Sequence, residues 1–116
     1  MSFPFAVPPT FTDSQNKENF SVALGSPHHF ECSAVGNPQP NVVWSKDGNI
    51  LTEDDYIQFK GSTLEILSVD LRHNGSYTCE ASNMAGRVAR SLALNVQGKC
   101  TVDICLNAFK IMDYLS

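Results

Sequence analysis

Apolar and polar residues alternate in short segments along most of this chain, and turn-forming residues separate the segments. Alternation with a period of two is typical of β-strands that have one buried face. No extended window before Gly98 has the spacing of an amphipathic helix. The pattern predicts seven strands, over residues 20–24, 28–35, 42–44, 56–59, 64–67, 76–82 and 88–96.

The residues between these segments indicate where the chain turns. Asp47-Gly48 follows the third predicted strand and is typical of a two-residue hairpin turn. Residues 36–40 are predicted as a loop, because their two prolines fix φ and remove backbone donors. Residues 83–86 predict a second tight turn between the last two strands. Short strands at this spacing indicate an all-β fold, either a sandwich or a barrel.

Two cysteines, a tryptophan and a tyrosine distinguish between these folds. Cys32 and Cys79 lie on the inward faces of two different predicted strands, and Trp44 lies on the strand that follows the first cysteine. Tyr77 precedes the second cysteine by two residues. In this order the chain resembles an immunoglobulin domain of the I-set over residues 7–97. Further segments that match are residues 24–25, 36–40, 44–48, 63–66, 75–79 and 81–86.

The resemblance implies an all-β, immunoglobulin-like Greek-key sandwich of two sheets. It divides the chain into an N-terminal extension (residues 1–6), the domain (7–97) and a C-terminal tail (98–116). It also implies a disulfide between Cys32 and Cys79 that joins the sheets. Closing a loop of about 48 residues in this way contributes roughly 4 kcal/mol in the chain-entropy model. The core residues that the resemblance implies are Trp44, Tyr77, Leu64 and Ile66.

The resemblance also makes predictions for the E–F corner, the connection before the strand that carries Cys79. The Tyr77 hydroxyl is expected to donate a hydrogen bond to the backbone there. Asn74 stands where the family usually has an aspartate that caps this turn or pairs with an arginine. Asn74 is therefore expected to cap the turn through its side-chain oxygen, without an ion pair.

Composition and charge exclude several classes of function. One domain is expected from 116 residues, of which 42% are hydrophobic and 17% charged. A net charge of −4 gives no basic surface for nucleic acid or anionic lipid. Residues 53–55, Glu-Asp-Asp, are predicted as a solvated turn, with a weak cation site as the alternative. Residues 1–9 lack the basic start of a signal peptide, and no apolar stretch is long enough to insert into a bilayer.

The residues that could carry catalysis do not form a recognisable site. His28 and His29 are neighbours on a strand and point to opposite faces, so they cannot share a metal ion. His73 belongs to the E–F turn, and all three histidines are predicted to lie on the surface. The domain has no phosphate-binding glycine loop, nucleophile elbow or zinc-type cysteine pair. No enzymatic activity, metal or cofactor is therefore predicted.

Two features of the sequence indicate the cellular compartment in which the protein is located. Asn19-Phe20-Ser21 and Asn74-Gly75-Ser76 fit the acceptor pattern for an N-linked sugar, but about 1.4 such patterns are expected by chance from this composition. The implied disulfide favours an extracellular or cell-surface location, because disulfides persist in oxidising compartments. The cytoplasm is the alternative, since I-set domains of muscle and cytoskeletal proteins often keep both cysteines reduced.

The resemblance implies a domain that binds other proteins, including neighbouring immunoglobulin domains. The preferred hypothesis is an adhesion or spacer module of a multidomain cell-surface or secreted protein. The alternative is a structural module of an intracellular titin- or palladin-like protein. The isolated domain is expected to be a monomer. Candidate partner contacts on its loops and edges are Gln39, Asn41, Met84 and Arg87.

Residues 99–116 follow the last predicted strand, and the sandwich does not need them to complete its core. Their apolar residues would surround a helix on nearly all sides, so such a helix would have to bury itself against a partner. An appended tail outside the fold is the preferred interpretation, with a partner-binding helix or an added strand or turn as alternatives. Cys100 and Cys105 are an additional thiol pair that could link to each other or to another chain.

Overall fold

The chain folds into ten strands and one short 3-10 turn within the residues that the structure describes. The structure is a computed structural model and describes residues 5–12 and 17–98. The predicted tail with Cys100 and Cys105 lies outside the described residues. The strands are β1 (Val7–Phe11), β2 (Asn19–Ala23), β3 (His28–Glu31), β4 (Ala34–Asn37), β5 (Asn41–Lys46), β6 (Asn49–Ile50), β7 (Ile57–Lys60), β8 (Thr63–Ile66), β9 (Gly75–Asn83) and β10 (Gly86–Gln97), and the 3-10 turn is Leu71–His73.

The strands form two layers. One layer is a five-stranded sheet in the order β2-β10-β9-β5-β6, in which β2 lies parallel to β10 and the other neighbours are antiparallel. The other layer contains the sheet β3-β8-β7 and the pair β1-β4. Only Cys32 and Ser33 separate β3 from β4, so the pair continues the second layer. The arrangement is the immunoglobulin-like sandwich that the sequence predicted.

The structure corrects the prediction for residues 28–40. The segment predicted as one strand divides into β3, which pairs with β8, and β4, which pairs with β1. The predicted loop begins later than expected, because β4 continues to Asn37, which pairs with Val7. The sequence pattern does not predict β1, whose Pro8 and Pro9 lack the N–H groups of an ordinary strand. The register of β1 shifts at these prolines.

The core lies between the two layers. Cys32 and Cys79 form a disulfide that joins the layers, with their Cα atoms 6.5 Å apart. Trp44 lies opposite Cys79 on the adjacent strand. The Phe30 ring packs next to these residues, and its centroid lies 5.2 Å from that of the Tyr77 ring and 6.2 Å from that of the Trp44 ring. All four implied core residues are buried: Trp44, Tyr77, Leu64 and Ile66.

The hydroxyl of Tyr77 holds the connection between β8 and β9, which is the E–F corner. It donates a hydrogen bond to the backbone oxygen of His73 at 2.5 Å. Burial, with smaller effects from the carboxylates of Asp47 and Asp70, raises the pKa of Tyr77. The hydroxyl therefore stays protonated at physiological pH and continues to donate its hydrogen bond to the His73 oxygen.

The side chain of Asp70, and not that of Asn74, caps the turn at this corner. Its carboxylate accepts a hydrogen bond from the Arg72 N–H at 2.9 Å and pairs with the Arg72 guanidinium at 2.9 Å. The prediction for Asn74 was wrong, because Asn74 Oδ1 accepts a hydrogen bond from the Val96 N–H on β10 at 3.0 Å. The exposed Asp70–Arg72 pair is a different contact from the one that an aspartate at position 74 would make, and it stabilises the fold only slightly.

His73 is buried, which corrects the prediction that all three histidines lie on the surface. Its Nδ1 accepts a hydrogen bond from the Asp70 N–H at 2.9 Å. That nitrogen therefore carries no proton, and its 3.4 Å contact with the Asp70 carboxylate is not an ion pair. Burial lowers the pKa of His73 and outweighs the opposite effect of Asp70.

The hairpin turn between β5 and β6 is also tied to β9. Asp47 and Gly48 both have positive φ angles, 50° and 88°, as a two-residue hairpin turn requires. The Asp47 carboxylate accepts a hydrogen bond from the Ser76 N–H at 3.0 Å. Only glycine fits at position 75, because its φ is 152° and a Cβ there would lie 2.7 Å from Asp47 Oδ2.

We expect Tyr77→Phe to lower the free energy of unfolding by about 1 to 3 kcal/mol, because it removes the hydroxyl and leaves the His73 carbonyl without its donor. Tyr56→Phe is the matched control, since the Tyr56 side chain is exposed. We expect this control to change the free energy by less than about 0.5 kcal/mol. Urea denaturation of both variants measures the difference, and equal midpoints for the two would contradict the role of the Tyr77 hydroxyl.

We expect His73 to make the domain less stable as the pH falls below about 6.5, the ordinary pKa of histidine. Because the pKa is lowered in the folded state, the unfolded chain binds more protons in this range, and the stability lost increases until the pH passes the folded pKa. His73→Asn keeps an acceptor for the Asp70 N–H and removes the titration. Its denaturation midpoint should fall less than that of the parent between pH 7 and about pH 5. If the midpoints of the parent and of His73→Asn fall in parallel with pH, the assignment of this pH dependence to His73 is contradicted.

Candidate protein-binding surface

The four predicted contact residues lie at one end of the sandwich. We call this end, formed by residues 38–41, by residues 83–87 and by the adjacent start of β1, the loop end. Asn41 on β5 and Arg87 on β10 are both register partners of Ser82 on β9, so they lie on either side of it. Gln39 precedes Asn41 in the β4–β5 connection, and Met84 lies in the β9–β10 turn. All four are exposed, and Met84 is 67% exposed.

Asn83 holds the three segments of the loop end together. Its Nδ2 donates hydrogen bonds to the Val7 oxygen at 2.8 Å and to the Pro38 oxygen at 2.9 Å. Its Oδ1 accepts a hydrogen bond from the Ala85 N–H at 2.9 Å, which fixes the β9–β10 turn. One half-buried amide group thus connects β1, the β4–β5 loop and the β9–β10 turn. A Cβ on Gly36 would lie 2.9 Å from this Nδ2, so the close approach requires glycine there.

The start of β1 adds apolar surface to the loop end. Asn37 Nδ2 donates a hydrogen bond to the Phe5 oxygen at 3.1 Å and holds the chain against β4. The Phe5 side chain is 78% exposed, and Val7 and Pro8 are exposed as well. Pro8 lies near the β9–β10 turn, because a Cβ on Gly86 would be 3.3 Å from the Pro8 Cβ. Exposed apolar side chains are therefore held on a fixed backbone at the loop end, and Pro8 lies near the turn that carries Met84.

Arg87 is the cationic member of the loop end. Its guanidinium lies 3.8 Å from the Glu80 carboxylate, and the side chain is 77% exposed. A pair this long and this exposed holds the arginine only weakly. Gln39 is more constrained, since its Nε2 donates a hydrogen bond to the Ala34 oxygen at 3.2 Å. Arg87 and Met84 can therefore rearrange to meet a partner, whereas the backbone that carries them is held in place.

The remaining residues with catalytic or metal-binding side chains are separated or have structural roles. His29 is exposed, and His28 is half-buried beside the Phe20 and Phe30 rings, where burial lowers its pKa. No group of three or more His, Cys, Asp or Glu side chains in residues 5–12 and 17–98 could hold a metal ion. In the same ranges, no helix is long and apolar enough to cross a membrane.

The acidic run at residues 53–55 organises the start of β7. Asp54 Oδ1 accepts hydrogen bonds from the backbone N–H groups of Tyr56 and Ile57 at 2.7 Å and 2.8 Å, and these bonds lower the pKa of Asp54. Glu53 Oε1 accepts a hydrogen bond from the Phe59 N–H at 3.2 Å. The run is an exposed turn, as predicted, and two of its carboxylates accept backbone hydrogen bonds.

Both candidate glycosylation sites lie at the surface. Asn19 is exposed on β2, and Asn74 is exposed at the E–F corner. Because Asn74 Oδ1 accepts from Val96, its Nδ2 is the atom that remains for another group. Sequence reasoning identified these positions but missed Asn37 and Asn83, which organise the loop end. The signal for Asn83 was its place directly before a predicted turn, where asparagine commonly bonds to the backbone.

Comparisons with known proteins agree with this geometry. A family model described as immunoglobulin I-set domain matches residues 9–96. Human hemicentin-1 is 43% identical over 89 residues, which are 75% of this chain and 2% of that protein. Human protein turtle homolog B is 34% identical over 96 residues, which are 78% of this chain and 7% of that protein. The chain thus spans a small part of these relatives.

A solved structure of an immunoglobulin domain is also similar to this chain. Titin domain M7 superposes with a TM-score of 0.70 at 30% sequence identity, and the match covers 82% of this chain and 99% of that structure. Relatives of this kind carry the domain as one unit among many, as the small shares of hemicentin-1 and protein turtle homolog B indicate. The chain belongs to the immunoglobulin I-set domain family.

Proposed function

We propose that this domain is an adhesive, protein-binding module of a multidomain cell-surface or secreted protein, and that it binds through the loop end. The observation that carries the proposal is the exposure of Met84, Phe5 and Arg87 on a backbone that Asn83 fixes at three points. Methionine, aromatic residues and arginine are enriched at protein interfaces.

The fixed backbone of the loop end supports binding in a second way. Association costs free energy when loops and side chains become ordered. Here the hydrogen bonds of Asn37 and Asn83 have already ordered the chain in the free domain. A partner would therefore have to order only the exposed side chains, such as those of Met84 and Arg87.

Two observations support the extracellular or cell-surface location. The sulfur atoms of Cys32 and Cys79 are bonded and both residues are fully buried, and such bonds persist in oxidising compartments. Asn74 presents its Nδ2 at the surface within an acceptor sequence, so an N-linked sugar there would leave its hydrogen bond to Val96 in place.

The alternative is a structural module of an intracellular, titin-like protein. The likeness to titin domain M7, at 30% identity, supports it. The two functions differ in the compartment, and therefore in the redox state of the buried cysteine pair.

We expect the double variant Met84→Ala/Arg87→Ala to bind its partner about tenfold or more weakly, because it removes the exposed apolar side chain and the cation of the loop end. A photo-crosslinking amino acid at position 84 of the full chain identifies the partner on cells, and surface plasmon resonance then measures the affinity. Leu71→Ala/Arg72→Ala is the matched control, since it removes an exposed leucine and an exposed arginine at the opposite end. Equal effects of the two double variants would contradict binding through the loop end.

We expect Cys32 and Cys79 to be disulfide-bonded in the protein isolated from its natural source. Alkylation under denaturing, non-reducing conditions, followed by mass spectrometry of the peptides, should recover the Cys32 peptide linked to the Cys79 peptide. Alkylated thiols at both positions would favour the titin-like alternative over the cell-surface module.

A further inference from the structure

A groove runs along one side of the sandwich, between β5 of the five-stranded sheet and β7 of the other layer. The part next to the loop end is a cavity of about 510 Å³ whose wall includes the polar residues Ser33, Gln39, Asn41 and Ser62. The part farther from the loop end is an apolar cavity of about 270 Å³, whose wall includes Val43, Trp44, Leu51 and Phe59. Val42 and Gly61 line both cavities, so the two are continuous. We call them together the side groove.

The backbone of β5 is unpaired where it borders the side groove. The Trp44 oxygen accepts a hydrogen bond from the Leu51 N–H at 2.9 Å, on the side of β5 away from β9. Backbone groups alternate between the two sides of a strand, so the N–H and C=O of Val42 point to this side as well. β6 pairs with β5 only from Ser45 onward, and within the described part of the chain no backbone group bonds to Val42 on this side. One donor and one acceptor of the strand edge are therefore open.

On the opposite wall of the groove, the preceding chain covers the outer edge of β7. The Phe59 N–H donates a hydrogen bond to the Glu53 carboxylate at 3.2 Å, and the Ile57 oxygen accepts one from the Asp54 N–H at 3.0 Å. An open strand edge is a template for pairing with another chain, and an edge covered in this way is not. A strand added within the groove would therefore pair with β5.

The wall of the apolar cavity contains an unsatisfied donor. Trp44 is 3% exposed, and its Nε1 is buried with no hydrogen-bond partner in the part of the chain that the structure describes. A buried donor without an acceptor costs free energy, which a ligand that supplies the acceptor recovers. With about 270 Å³, this cavity is smaller than the pockets that enclose whole small molecules, so it fits a single apolar side chain.

We propose that the side groove binds an extended peptide segment of a partner protein, which adds to β5 as a further strand at Val42. A peptide backbone presents an N–H and a C=O at the spacing of the strand edge, and the alternate side chains of an added strand give specificity. In this arrangement an apolar side chain of the segment fills the apolar cavity beside Leu51 and Phe59, and polar residues of the segment lie along the polar cavity.

The side groove is continuous with the loop end. Gln39 and Asn41 belong to the loop end and also line the polar cavity. Asn41, Ser82 and Arg87 are neighbours across β5, β9 and β10, so one surface leads from the arginine to the groove. The inference rests on the proposed function, because it names the chemical form in which a partner of the loop end continues along the domain.

Selection of peptides on the full chain tests the proposal. Random heptapeptides displayed on phage are the probe, and we expect the selected sequences to place one large apolar residue between β-forming residues. A synthetic peptide of the selected sequence should shift the indole N–H signal of Trp44, which is identifiable because the chain has a single tryptophan. It should also slow the hydrogen exchange of the Val42 amide, because the added strand accepts its hydrogen bond.

Gly61→Asp should weaken binding of this peptide about tenfold or more in isothermal titration calorimetry, because it places a carboxylate beside the apolar side chain of the peptide. Gly61 has a φ of 59°, which aspartate tolerates better than most residues, and a Cβ there would have no neighbour within 4 Å. Gly25→Asp is the matched control, since Gly25 also has a positive φ, 86°, and open surroundings, and it lines neither cavity. It should leave the affinity unchanged. Thermal denaturation checks that both variants are folded.

Several results would overturn the inference. One is a library from which no peptide is selected, and another is an equal loss of affinity in Gly61→Asp and Gly25→Asp. A third is a selected peptide that shifts the signals of Met84 and Arg87 and leaves those of Val42 and Trp44 unchanged. A partner that binds Gly61→Asp as tightly as the parent but loses affinity for Met84→Ala/Arg87→Ala would overturn the groove and leave the proposed function standing. The reverse result would leave the groove standing and contradict binding through the loop end.

Discussion

The structure depends on the contact between the two sheets at the Cys32–Cys79 disulfide. The bond joins the end of β3 to the middle of β9, and the buried Trp44 lies opposite Cys79 on the adjacent strand. Because both cysteines are fully buried, every strand that reaches this centre has to alternate in register with it. The alternation of β5, β9 and β10 follows from this requirement.

The parts of the fold that depend on this alternation could be predicted from the sequence. Strands β2, β5, β7, β8, β9 and β10 match predicted segments, because a buried face imposes a period of two on neighbouring residues. The positions of Trp44 and Tyr77 relative to the cysteines were sufficient to assign the sandwich. The hairpin at Asp47-Gly48 was also predictable, since its positive φ angles favour those residue types.

The parts that the sequence could not predict depend on contacts between distant residues. Strand β1 forms despite Pro8 and Pro9, because Val7 and Thr10 pair with β4 on either side of them. Asn83 reaches partners that are 76 and 45 residues away, Val7 and Pro38, and no local pattern indicates such contacts. The sequence around His73 is typical of a surface turn, yet the residue is buried. Its backbone oxygen accepts a hydrogen bond from the Tyr77 hydroxyl, and its Nδ1 accepts one from the Asp70 N–H. Of the candidate site, the exposed residues were predictable and the framework that holds them was not.

The connections of this domain are held by short polar side chains, and this separates binding from stability. Asp47, Asp70 and Asn74 bond to backbone groups at one end of the sandwich, and Asn37 and Asn83 do so at the other. These side chains satisfy the backbone hydrogen-bonding groups. Long exposed side chains such as those of Met84 and Arg87 are therefore not needed to hold the connections in place. They can therefore change without loss of the fold, because surface substitutions away from such bonds alter stability by only about 0.5 kcal/mol. A surface of this kind can acquire different partners while the sandwich beneath it stays the same.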